Sequence, residues 1–295
     1  MRVTQSMVSA NSLRNISSSY NKLNDLSNQV SSGKKITKPS DDPVVAMKGM
    51  FYRSNVSEVE QYQRNLSEGY LWMDNSEASL EQANTGLQRI RELLVKGKND
   101  TNSEAERTAI AQEIEEIKKD LVTVANTKVN GKYAFHGTDI STPLVTDGDP
   151  PQVAANVADP SIDNYTVQVS SGINLKINVS PTAFSQEMFD VVQGIQEKME
   201  NNDTDGLDDL LSRLDTVTNN LTTERSELGA RYNRLELVET RLDSQEVLAN
   251  KVLSDNEDVD MEKAITNLSV QESVHNAALS VAAKIIQTSL IDFLR

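Results

Sequence analysis

The sequence predicts a mainly α protein: an elongated, discontinuous helical coiled-coil or bundle rod formed by both chain ends, with a small inserted β-rich domain. Three observations carry that expectation. Apolar residues recur at steps of three and four over most of the 295 residues, the period of helices with one apolar seam. All seven prolines fall in two windows, Pro39–Pro43 and Pro143–Pro181. Residues 44–142 and 182–295 are therefore free of the strongest helix breaker. Near 136–184, between the helical stretches, the apolar period becomes two.

The first helix is marked by Val3, Met7, Ala10, Leu13, Ile16, Tyr20, Leu23, Leu26 and Val30. Gly33 ends it at a position that needs a left-handed residue. Asp42 before Pro43 then reads as an N-cap followed by proline at the first helical position, so the chain restarts as a second helix. Taken alone, the segment SSGKKITKPSDDPVVAMKGMFYR, residues 31–53, is a helix-turn-helix connector.

The second helix carries Val59, Tyr62, Leu66, Gly69, Met73, Ser76, Leu80, Ala83, Leu87, Ile90 and Leu94 in heptad spacing. KGKNDTNS is a turn, with Asn102 or Ser103 as the next N-cap. Ile110, Ile114, Ile117, Leu121 and Val124 mark a third helix. The longest series runs Leu207, Leu210, Leu214, Val217, Leu221, Glu224, Leu228, Arg231, Leu235, Val238, Leu242, Gln245, Ala249 and Val252. A 3.5-residue repeat held that long predicts long helices side by side. Its polar members Glu224, Arg231 and Gln245 suit a bundle whose seam changes partner along its length. In the middle segment, Tyr165, Val167 and Val169, then Ile173, Leu175, Ile177 and Val179, alternate with polar residues around Ser170-Ser171-Gly172. That pattern is a β-hairpin. An isolated hairpin is marginal in water, so further strands from 132–162 are expected to complete one small sheet.

From Val259 to Leu294 the chain is apolar again, and between Ala264 and Ile291 only Glu272 and Lys284 carry charge. Chain ends usually fray unless something ties them down. Two apolar ends predict pairing with each other and with neighbouring subunits.

Composition narrows the function. One Trp (Trp72), five Phe and seven Tyr, with a mean hydropathy of −0.47, suit thin rods better than a large globular core. A formal charge of −15 argues against nucleic acid and anionic membrane surfaces. No run of eighteen uncharged apolar residues exists, so no membrane span is expected. The start, MRVTQSMVSANSLRN, lacks the pattern of a secretory signal, and export by the general secretory route is not expected. With no cysteine, thiolate catalysis, disulfides and Cys-ligated metals are excluded.

Candidate chemistry is thin. His136 and His275 stand far apart without an oriented partner and read as ordinary side chains. Asp147-Gly148-Asp149 lacks the ligand spacing of a calcium loop and reads as a solvated turn. Asn130-Gly131-Lys132 and Gly33-Lys34 lack the glycine spacing of phosphate loops. Triplets such as Asn65-Leu66-Ser67 are expected by chance in so polar a chain. The acidic runs Glu113–Glu116 and Asp255–Asp260 read as solvated faces. No cofactor or metal is expected.

Two long segments carry a resemblance. LNDLSNQVSSGKKITKPSDDP resembles the N-terminal signature of the bacterial flagellin family. ERSELGARYNRLE, Glu224 to Glu236, and SDNEDVDMEKAITNLSVQESVHNAAL resemble its C-terminal helices. Only the region near 136–184 lies outside the likeness. The opening MRVTQSM, the stretch NGKYAFHGT (Asn130 to Thr138) and the ending SLIDFLR are similar to the family's hook–filament junction branch.

The resemblance implies a structural role without catalysis: a ring of like subunits between the hook-side junction protein (hook-associated protein 1) and flagellin. It implies a terminal coiled-coil core of 1–45 with 255–295, a helical rod of 46–135 with 185–254, and an outer β-rich domain of 136–184. Export would pass unfolded through the flagellar type III channel with the help of an export chaperone. Assembly would fall to Leu13, Ile16, Leu23, Leu26 and Val30 at one end. At the other it would fall to Ile265, Leu268, Val274, Val281, Ile285, Leu290 and Phe293. Gly33, Pro39, Asp42 and Pro43 would form the connector. The alternatives are a flagellin with a reduced outer domain, and a secreted ligand-binding protein using residues 136–184.

Overall fold

The computed structural model of the chain describes residues 5–99, 103–146, 148–158, 162 and 164–293. The fold comprises two compact units, Met1–Glu58 with Gln245–Arg295, and Val59–Ser244. The helices are α1 (Gln5–Ser32), α2 (Pro43–Gly97), α3 (Glu104–Ala125), α4 (Gln186–Glu200), α5 (Leu207–Glu257) and α6 (Met261–Phe293). Between α3 and α4 lie six short strands: β1 (Lys128–Val129), β2 (Lys132–Tyr133), β3 (Val145–Thr146), β4 (Gln152–Val153), β5 (Thr166–Ser170) and β6 (Ile173–Lys176).

In the second unit the heptads meet as the sequence predicts. Leu66, Met73, Leu80, Leu87, Ile90 and Leu94 of α2 are buried, as are Leu214, Leu221, Leu228, Leu235 and Leu242 of α5. Tyr70 donates to Glu239 at 2.7 Å, Arg225 to Glu77 at 2.6 Å, and Arg91 to Asp215 at 2.7 Å. Partners on α5 fall in number as those on α2 rise, so the two helices run antiparallel. α3 starts at Ser103, whose hydroxyl accepts from the Glu106 amide while the Glu106 carboxylate accepts from the Ser103 amide. This reciprocal cap satisfies two of the helix's free N–H groups. Asn102, the other candidate, lies outside the described residues.

The polar members of the long seam have a specific cause. Arg231 donates to the Asn178 carbonyl at 2.8 Å and pairs with Glu227. Half-buried Glu224 faces the backbone of Ser180, and burial raises its carboxyl pKa. At these two positions α5 meets the backbone that follows β6, which needs polar partners. Gln245 is exposed.

The β region corrects one expectation. The strands form three separate two-stranded antiparallel sheets, β1–β2, β3–β4 and β5–β6. Four of the six strands have two residues, too few to present two edges for a common sheet. Helices and side chains complete their cover instead: Asn126 bonds both backbone groups of Val145, and Gln186 accepts from the Val153 amide. β1–β2 turns at Asn130 and Gly131, both at positive φ, as a tight hairpin requires. β5–β6 is the predicted hairpin, with Val167 opposite Leu175 and a register shift between Gln168 and Ser170. Val169 and Leu175 are buried, while Ile173 is exposed.

Two buried polar groups complete this unit. The Lys118 ammonium contacts Gln193 at 2.6 Å, Gln196 at 2.8 Å and Asp149 at 3.0 Å, so its three protons have three acceptors. His136 sits between the Thr142 carbonyl and the Asn156 amide oxygen, each at 3.0 Å, a packing role. Asp147 lies outside the described residues, and its neighbour Asp149 is the carboxylate bound to Lys118.

Candidate assembly interface

In the first unit α1 and α6 pack along each other. Ile16, Leu23, Leu26 and Val30 of α1 are half-buried and Ser19 is buried. The inner face of α6 is small or polar: Ala264 and Ala282 are buried, with Leu268, Gln271 and His275 half-buried. Gln271 donates to the Ser19 hydroxyl at 2.8 Å and to its carbonyl at 3.2 Å. His275 Nδ1 lies 3.3 Å from the same hydroxyl. Small and polar residues of α6 thus face the half-buried Ile16, Leu23, Leu26 and Val30 of α1, while most large apolar side chains of α6 are turned outward.

Leu13 is 71 % exposed and Val281 57 %, with Met7, Tyr20, Ile265, Val270, Val274 and Leu279 also exposed. Of the residues expected to carry assembly, Ile16, Leu23, Leu26, Val30 and Leu268 thus line the seam within one chain. Leu13, Ile265, Val274 and Val281 face away from it. Ile285, Leu290 and Phe293 belong to α6, but their side chains lie outside the described residues, as does Val3.

The connector is held by both halves of the chain. Gly33 follows α1 at φ +70. Asp42 accepts from the Val44 and Val45 amides at 2.9 and 3.1 Å and so caps α2 at Pro43. Pro39 lies exposed in the intervening turn. Opposite, α5 ends at Glu257 and α6 begins at Met261. The two breaks are joined: the Val259 amide donates to Gly33 O at 2.9 Å, and the Lys35 amide to Glu257 O at 2.7 Å. Arg53 pairs with Glu257 at 2.8 Å and Lys34 with Asp258 at 2.7 Å. The Lys34 ammonium holds the Asp258 carboxyl below its ordinary pKa.

Glu257 is therefore buried and paired, which corrects the reading of Asp255–Asp260 as a wholly solvated face. Sequence reasoning missed Lys34, Arg53, Glu257 and Asp258 because more than two hundred residues separate the partners. The nearest local signal was Gly49: a Cβ there would lie 2.5 Å from Glu257 Oε1.

The bacterial flagellin N-terminal helical region matches residues 3–139, and the bacterial flagellin C-terminal helical region matches residues 211–294. The chain belongs to the bacterial flagellin family. Similar chains within it include flagellar hook-associated protein 3 of Salmonella typhimurium, 25 % identical over 94 % of this chain and 95 % of that one. The Escherichia coli protein of the same name is 23 % identical over the same shares. A flagellin of Bacillus subtilis is 24 % identical over 96 % of each chain.

The fold is also that of the FlgL protein of Bacillus cereus, with a TM-score of 0.59 and 24 % identity over 69 % of this chain and 99 % of that one. The flagellar junction protein FlgL of Legionella pneumophila gives 0.56 and 16 % over 72 % and 100 %. Flagellin-family proteins are structural components of the extracellular flagellum, which they build with like subunits and other flagellar proteins. Among the described residues no helix is long and apolar enough to cross a membrane.

Proposed function

We propose that this flagellin-family chain is the subunit that joins hook to filament. The observation that carries the reading is the end-to-end match to hook-associated protein 3 of two bacteria. The segments MRVTQSM, NGKYAFHGT and SLIDFLR favour the same branch. A flagellin matches over an equal span, so unlimited self-propagation is what separates the two readings.

In this role the subunit packs against hook-associated protein 1 on one side and flagellin on the other. It leaves the cell unfolded, with a chaperone shielding α6. Residues 1–45 and 255–295 form the assembled core, 46–135 and 185–254 the helical rod, and 136–184 the outer face. The outward side chains Leu13, Ile265, Val274 and Val281 carry packing between subunits, together with Ile285, Leu290 and Phe293. The connector of Gly33, Pro39, Asp42 and Pro43 links the core to the rod. The work is mechanical, a change of lattice through helix packing, with no catalytic step.

Deleting the gene in the source bacterium tests this directly. The expected result is intact hooks without filaments and flagellin shed into the medium. Filaments that persist on the deleted strain would overturn the reading.

A further inference from the structure

The first turns of α2 carry an apolar face in water. Val44, Met47, Met50 and Phe51 are all more than half exposed, Met47 at 61 % and Phe51 at 63 %, whereas Phe135, Phe184 and Phe189 are fully buried. The opposite side of the same turns is engaged: the Val45 carbonyl accepts from Asn256, Gly49 lies against Glu257, and Arg53 pairs with Glu257. A cleft of 260 Å³ lined by Ile36, Pro39 and Met50 extends the apolar surface. Four large apolar side chains within eight residues form a patch, and such patches mark interaction sites.

Charge indicates what covers it. Residues 34–53 hold five cations and two carboxylates in a chain of net charge −15. Exposed Lys38 stands beside Asp41, whose carboxylate accepts from the Lys38 amide at 2.9 Å and feels its charge. Exposed Lys48 is in no salt bridge among the described residues. Residues 255–262 hold five carboxylates and no cation. Glu257 and Asp258 are paired with Lys34 and Arg53 of the same chain and Asp260 with Lys263, which leaves Asp255 and Glu262 to meet a neighbour. Asp255 and Glu262 are exposed; among the described residues neither carboxylate is in a salt bridge, while the Asp255 carbonyl accepts from the Lys35 ammonium. Exposed Met261 and Ile265 stand beside them.

We propose that a second copy of this chain docks on the α2 patch. Its acidic bend between α5 and α6 meets Lys38 and Lys48, and its Met261 and Ile265 cover Met47 and Phe51. Connector and bend lie at one level of the unit, joined by the Val259–Gly33 hydrogen bond. Donor and acceptor surfaces differ, so the contact is heterologous and repeats side to side, as a closing ring requires. The inference rests on the assembly reading above and adds the surface and its register.

The cysteine-free chain permits a clean test. Lys48→Cys and Glu262→Cys single variants, with different tags, are co-expressed in the source bacterium in place of the native gene. Isolated flagella are then mildly oxidised, and Lys38→Cys with Asp255→Cys serves as the second pair. A mixed disulfide dimer from either pair, absent when one variant is expressed alone, is the expected result. Variants found at the junction but giving no mixed dimer with either pair overturn the contact and leave the junction role standing. A wild-type chain absent from hook–filament joints overturns the role itself and the contact with it.

Discussion

Gly137 is the residue where backbone and packing leave least freedom. Its φ is +61, and a Cβ there would lie 1.9 Å from the Ile162 carbonyl oxygen, which also accepts from the Thr138 amide at 2.7 Å. Gly137→Ala is expected to lose about 3 kcal/mol or more, from backbone strain together with overpacking. Urea unfolding measures it, and a loss within 0.5 kcal/mol, the range of about ±0.5 usual for neutral surface changes, would be inconsistent with this packing. Lys118→Met is expected to cost about 2 kcal/mol by leaving the Gln193 and Gln196 oxygens without a donor. Neither site was visible in the sequence as more than a glycine in a polar loop and a lysine on a helix. Their significance comes from Ile162, Gln193 and Gln196, which folding brings from distant parts of the chain.

At the scale of elements, what could be read was what repeats. The heptads of α2 and α5 came through because burial on a helix recurs every three or four residues, from Leu66 to Leu94 and Leu207 to Leu242. The two-residue strands β1 to β4 have no period to read; they form two separate pairs beside the β5–β6 hairpin instead of completing one sheet with it. The joined breaks at Gly33 and Glu257–Asp260 were equally hidden, because ion pairing across the sequence leaves no local pattern.

That junction has a pH signature. The Asp258 carboxyl is held low, first by its hydrogen bond from Lys34. Its contribution is fully present above the ordinary carboxylate value near ~4 and is lost as pH falls through the lower folded value. Protection of the Val259 and Lys35 amides, the exchange rate relative to the intrinsic one, should therefore be constant near neutrality and fall only below about pH 4. Loss of protection already at pH 6 would mean that another group holds the bend.

For the whole molecule, the telling feature is that the helices nearest the chain ends leave Leu13, Ile265, Val274 and Val281 outward, while α6 brings mainly small or polar side chains, Ala264, Gln271 and Ala282, to the seam between them. Alone, such a pair has little core, so Met7, Leu13, Val274 and Val281 should be sites of local opening. Terminal segments are expected to be cut rapidly by protease in dilute monomer and protected in the flagellum; equal protection in both would contradict assembly through these faces. Leu13→Ser with Val281→Ser should leave urea unfolding of the Val59–Ser244 unit within about 0.5 kcal/mol yet abolish incorporation.

The central claim, a junction subunit that does not propagate by itself, is tested most directly by negative-stain electron microscopy. Purified, concentrated protein is held in a filament-promoting sulfate salt. The account predicts folded, soluble protein and no filaments. Long regular filaments would contradict it and identify a filament subunit instead.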